Sequence, residues 1–197
     1  MKETLSPKER TILFDLAHES ITHAVNGKTA PSVDTSTLSE RLRQQGASFV
    51  TLLGPHGELR GCIGTVEAHT SLAQDVQRNA KGSALRDPRF PPVGPDELDG
   101  LKIELSILTP PQPLDFDGPD DLLSRIRPGV DGLIIEKNRH RSTLLPSVWE
   151  KVPDPVEFMT ILCRKAGLPR DEWRRPGMTV LVYQAEKVGE DIERRGE

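Results

Sequence analysis

Aromatic residues are scarce in this chain, at 4% of 197 positions, so its core must come from aliphatic side chains. Cysteine is scarcer still. Cys62 and Cys163 stand far apart, which makes neither a disulfide framework nor a zinc pattern. His18 and His23 lie five apart on a helical stretch, on different sides of it, and no other group has metal-ligand spacing; no metal or cofactor is expected. A basic excess is missing too: 26 Lys and Arg face 30 Asp and Glu, for a net charge of −4. That balance lacks the positive surface that displaces counterions from nucleic acid. The one basic run, Lys137 to Arg141, has no interleaved aromatic and reads as a solvated hairpin tip. No apolar run approaches the ~20 residues of a membrane span, and MKETLSPKER has no signal-peptide stretch. These absences predict a soluble, cytoplasmic protein with reduced thiols, outside the nucleic-acid and membrane classes.

What is present suits a globular fold of one full-sized domain over residues 1–197 with room for a second, smaller lobe. A chain of this length buries roughly 70% of its unfolded surface and needs no staples. Ser6-Pro7-Lys8-Glu9 is a capping box, and Ile12, Leu13, Leu16, Ile21, Ala24 and Val25 follow at helical spacing up to Gly27. A short helix is expected over Leu38 to Gln45, then a hairpin: Ser48 to Leu53, the turn Gly54 to Gly57, and a returning strand. Thr70 or Ser71 caps a helix with a narrow apolar face of Leu72, Ala73, Val76, Ala80 and Ala84. Three prolines within Pro88 to Pro92 make the next segment irregular, with Phe90 as its anchor. Leu101 to Leu108 alternates as a strand with one buried face. Further on, a helix is expected near Asp120 to Ile126, paired strands at Gly132 to Glu136 and Ser142 to Leu145, and a helix capped by Asp154 and stopped by Gly167. Met178 to Val188 reads as one closing strand, and the tail from Gly189 is expected to fray. The pattern predicts an α+β fold with a largely antiparallel or mixed β-sheet flanked by helices.

The candidate site lies in Glu58 to Val66, ELRGCIGTV. Strand alternation puts Leu59, Gly61 and Ile63 on one face and Arg60, Cys62 and Gly64 on the other. The origins of the Arg60 and Cys62 side chains are then roughly 6–7 Å apart, close enough for the arginine to favour a thiolate. Gly64 leaves a notch beside the thiol. Cys62 is the candidate catalytic residue, as a nucleophile; the alternative is that it packs as a small hydrophobe. A base is hard to find, because His56 and His140 sit in turns and His69 lies beyond the strand. Arg86, Asp87 and Arg89 add a charged loop in which Asp87 pairs with an arginine or the arginines grip an anion. Glu104, on the polar side of its strand, is a further candidate as a binding group or a base. Cys163 reads as core.

Several segments in order resemble the AMMECR family. They are Leu59 to Gly64 (LRGCIG), Ser83 to Pro92 (SALRDPRFPP), Glu104 to Pro110 (ELSILTP), Gly129 to Gly132, Leu144 to Pro146 and Lys165 to Leu168. The resemblance runs from about Ser6 to Val188; Ser147 and Val188 depart from the family pattern, which often has glutamine and phenylalanine there. It implies an α+β fold of two lobes with the signature strand near the cleft between them. It implies no known reaction. Prokaryotic members are similar to protein A of the AmmeMemoRadiSam system, so the implied partners are a Memo-like protein and a radical S-adenosylmethionine enzyme. The expected function is an accessory domain that binds a small anionic ligand or a modified partner segment through Arg60, Gly61, Gly64, Arg86, Asp87, Arg89 and Glu104. Its alternatives are a thiol-dependent transferase using Cys62 and a protein–protein adaptor.

Overall fold

The computed structural model describes residues 4–189. The chain forms two compact units: the first runs to Leu108 and resumes at Glu186, and the second spans Thr109–Ala185. Together they contain helices and two antiparallel sheets, an α+β fold.

In the first unit, helix α1 (Pro7–Val25) starts as its sequence dictates. Ser6 Oγ accepts from Glu9 N–H, the Glu9 carboxylate accepts from Ser6 N–H, and Gly27 turns the chain at φ +68°. Helix α2 is only Glu40–Arg43, shorter than expected, because strand β1 (Gln45–Leu53) begins early. Its first two residues pair with the short β3 (Thr70–Ser71), a long-range match that no local pattern reveals. Strand β2 (Leu59–Gly64) returns against β1, and α3 (Leu72–Leu85) follows, with Ser71 Oγ accepting from Gln74 N–H. Strand β4 (Lys102–Leu108) lies on the other side of β1, and β9 (Ala185–Gly189) lies beyond it.

Helices α1 and α3 pack together, and α3 covers one face of β1 and β2. Leu13, Ala17 and Ile21 meet Val76, Ala80 and Ala84 over Val50, Leu52, Ile103 and Leu105. The small residues of α3 let its backbone approach the sheet. The register places Val50 opposite Ile63 and Leu105, and Thr51 opposite Cys62 and Glu104. One face is therefore apolar under the helices, while the other carries Phe49, Thr51, Cys62, Gly64, Glu104 and Ser106, all half-buried.

The second unit has the sheet order β5-β8-β6-β7, built from β5 (Gln112–Pro113), β6 (Gly132–Lys137), β7 (His140–Leu144) and β8 (Thr179–Tyr183). Helices α4 (Pro119–Arg125) and α5 (Pro155–Lys165) accompany it. Two of the few aromatics, Trp149 and Phe158, stack with centroids 3.7 Å apart, and buried Cys163 lies in the same core. Burial pushes the Tyr183 phenol up to about 12, while its oxygen exchanges a hydrogen bond with Thr143. The basic hairpin tip turns at Asn138 (φ 56°), and two of its charges are paired, Lys137 with Glu172 and Arg141 with Glu136.

The expected single strand from Met178 to Val188 is two strands in two sheets, β8 and β9, divided at Gln184. Gln184 exchanges hydrogen bonds with Thr109, its O accepting from Thr109 N–H and its N–H donating to Thr109 Oγ1, both at 2.8 Å. Parallel pairing was an open expectation; the ladders resolved residue by residue are antiparallel. The tail beyond Gly189, where fraying is expected, lies outside the described residues.

Candidate functional site

Both glycines of LRGCIG serve close packing. A Cβ on Gly61 would overlap the Ser83 carbonyl oxygen of α3, so glycine is what lets helix and strand touch there. A Cβ on Gly64 would overlap the ring of Phe49, its cross-strand partner. The notch expected beside the thiol is thus filled by Phe49. Ile63 packs against Gly82 on the helix side, which confirms the alternation of the strand.

Arg60 is committed to the loop that follows α3. Its Nε and Nη2 donate to the two oxygens of Glu97 at 2.7 and 2.9 Å, and Nη1 donates to the Pro91 carbonyl at 2.9 Å. The Glu97 fork holds the Arg60 pKa above its ordinary value, and Arg60 in turn holds the Glu97 carboxyl below its own. Glu97 escaped the sequence reading, although Gly94-Pro95-Asp96-Glu97 is a helix-start signal and Glu97 Oε1 does accept from Gly94 N–H. Arg60→Ala should cost about 1–2 kcal/mol, because the bidentate pair is partly exposed. Arg60→Lys, which lacks the fork, should recover less than half of that in urea titrations.

The free edge of β2 is closed by side chains in place of a strand. Asp87 Oδ2 accepts from Cys62 N–H at 2.8 Å, and Arg89 Nη2 donates to the Cys62 carbonyl at 3.4 Å. The two residues clamp each other as well, with Arg89 Nε donating to Asp87 Oδ1 at 2.9 Å and Nη2 donating to Oδ2 at 2.6 Å. Asp87 is 4% exposed, and the Arg89 guanidinium holds its carboxyl far below the usual carboxylate range. The pair reproduces the donor and acceptor that a neighbouring peptide would offer. Near the end of β2, fully buried Asp75 gathers donors from β1, α3 and the chain after β2: it accepts from Ser48 N–H and Oγ, Thr65 Oγ1, Arg78 and Asn79 Nδ2. The spacing of Asp75 and Asn79, one turn apart on the apolar side of α3, is the signal for this network.

Cys62 itself is half-buried on the open face. Thr51 Oγ1 donates to Cys62 Sγ at 3.3 Å. The cation beside the sulfur is Arg89, whose pKa is raised first by Asp87 and further by Cys62. Glu104 lies in the same cross-strand row two strands away, about 10 Å from Cys62, and its carboxylate pairs with Lys187 at 3.0 Å. His69, 67% exposed, pairs with Glu67 at 3.3 Å. Arg86 is exposed, and its side chain has no hydrogen-bond or ion-pair partner among the described residues. Among those residues there is also no cluster of three or more His, Cys, Asp or Glu fit to hold a metal, and no helix long and apolar enough to cross a membrane. The structure therefore brings Cys62, Thr51, Asp87 and Arg89 together, and sets Arg60 and Glu104 in ion pairs of their own.

Helices over one face of an antiparallel sheet, with a half-buried thiol on the other, define an α+β protein whose signature strand is fastened by a proline-rich loop. The chain belongs to the AMMECR1 family, whose model matches residues 14–188. A protein of Methanothermobacter thermautotrophicus is 42% identical over 188 residues, covering 95% of this chain and 97% of that one. Protein MK0488 of Methanopyrus kandleri is 36% identical over 194 residues, covering 97% and 93%. The crystal structure of the uncharacterized protein PH0010 from Pyrococcus horikoshii matches with a TM-score of 0.81 at 36% identity, over 91% of this chain and 90% of that one.

Proposed function

We propose that the chain is a non-metal binding domain that receives a small anionic ligand, or an anionic modified segment of a partner, beside Cys62. In this reading it is an accessory component of a pathway with a Memo-like protein and a radical S-adenosylmethionine enzyme, the context that the family resemblance implies. The observation that carries the binding reading is the state of the cations. Arg60 is consumed by Glu97, whereas the Arg89 side chain stays 54% exposed outside its clamp on Asp87, and the exposed Arg86 side chain has no partner among the described residues. A guanidinium fixed by a buried carboxylate is pre-organised to bond an arriving anion with its remaining donors. Inorganic phosphate titrated into labelled protein should shift the arginine Nε–H resonances of Arg89 and Arg86 saturably. Arg86→Ala should weaken that binding several-fold and Cys62→Ser should spare it. No saturable shift, or full affinity in Arg86→Ala, would remove this reading.

A thiol-dependent transferase is favoured by one observation, the setting of Cys62: Thr51 Oγ1 donates to its Sγ at 3.3 Å, and Arg89 Nη2 donates to its carbonyl at 3.4 Å. The iodoacetamide reaction of Cys62 at pH 7 then has to outpace that of free cysteine. A rate equal to or below it leaves binding as the function of the face.

A further inference from the structure

The second unit carries a half-open cavity of about 500 Å³ between the chain from Pro113 to Pro119 and the chain from Trp173 to Val180. It opens because β5 stays on β8 only briefly. Gln112 and Pro113 pair with Val182 and Leu181, Leu114 N–H donates to the Val180 carbonyl at 2.9 Å, and the chain then swings away. Gly118 and Gly177 turn the two walls at φ +87° and +86°, angles that side chains rarely adopt. Leu114, Phe116 and Met178 line the cavity. At its rim Arg174 Cζ sits 4.2 Å from the centroid of the Trp173 ring. Its neighbour Arg175 leans on Glu172 and Asp171 at 3.4 and 3.7 Å, but the exposed side chain of Arg174 has no hydrogen-bond or carboxylate partner among the described residues.

We propose that this cavity binds a small organic monoanion, a carboxylate or sulfonate attached to a flat apolar body. The volume falls in the range of small-molecule sites, roughly 300–1,000 Å³. The apolar part of the lining, Leu114, Phe116 and Met178, accepts the body. Arg174, held over the indole by cation–π attraction, offers its donor fork to the anionic head. Asp115, exposed on the same lining, repels a second negative charge, which selects against polyanions such as nucleotides. This site lies in a different unit from Cys62 and stands or falls independently of the function proposed there.

The test uses 8-anilinonaphthalene-1-sulfonate as a fluorescent probe on the full chain, with circular dichroism to confirm folding of each variant. The expected result is one saturable site, weakened about tenfold by Arg174→Ala, as loss of a charge-assisted bond implies. Asp115→Asn should hold or tighten the probe, and inorganic pyrophosphate should not displace it from the natural sequence. Absence of a saturable site, unchanged affinity in folded Arg174→Ala, weaker binding in Asp115→Asn, or displacement by pyrophosphate would each overturn the proposal.

Discussion

Replacing Gly61 with alanine is expected to lower the unfolding free energy by about 3 kcal/mol or more. The added methyl would overlap the Ser83 carbonyl oxygen, which is backbone of α3 and cannot rotate aside. Relief requires the helix to lift from β2, which opens the contact of Val76, Ala80 and Ala84 with the sheet. Gly64→Ala is the informative comparison. Its methyl meets the Phe49 ring, a side chain on the half-exposed face that can swing outward. That variant should lose about 1 kcal/mol, and Phe49→Ala should cost less in its background than in the natural sequence. Urea unfolding of the four proteins gives the coupling directly. Equal losses for Gly61→Ala and Gly64→Ala would mean that the helix contact does not explain the first glycine.

The elements that local chemistry determines were legible in the sequence, and those that depend on distant partners were not. Helix α1 has its cap, its proline and its closing glycine within a few residues of one another, so its bounds follow directly. The stretch from Met178 to Val188 reads as strand from end to end, and nothing local marks Gln184 as the place where one sheet ends and another begins. That break is set by Thr109, 75 positions away. The site divides in the same way. Alternation alone put Cys62 on the face opposite Gly61 and Ile63, though not which of the two faces meets α3, and the pairing of Asp87 with an arginine was foreseeable from their proximity in the chain. The partner of Arg60 is 37 positions away at Glu97, and the acceptor for Cys62 N–H is 25 away at Asp87. Sequence spacing shows which face a side chain takes; it cannot show which charge is cancelled on that face. Of the three arginines expected to grip an anion, Arg60 is the one already paired, with Glu97.

Asp87→Asn should destabilise the first unit by about 2–3 kcal/mol at neutral pH, through loss of the charge-assisted bonds to Arg89 and a weaker acceptor for Cys62 N–H. The dependence on pH makes the assignment specific. Arg89 holds the Asp87 carboxyl far below the ordinary carboxylate value in the folded chain, whereas the unfolded chain titrates near about 3.9. A carboxyl lowered by folding contributes stability that is complete above the unfolded value and is lost as pH falls toward the folded one. The gap between the natural chain and Asp87→Asn should therefore be flat from about pH 5 to 8 and narrow below about pH 4. A gap that stays constant down to pH 3 would show that the ionised carboxylate is not what fastens the loop. Hydrogen exchange separates this contact from a general loss of stability, because Cys62 N–H has Asp87 as its acceptor. Under conditions where exchange is local, that amide should exchange about tenfold faster or more in Asp87→Asn, while amides at the centre of β1 keep their protection. The same release frees Arg89 from its position beside the sulfur, so the variant should also lose the saturable phosphate response at Arg89. Stability of the edge and recognition at the face then fail together, as they must if one buried carboxylate holds the cation for both.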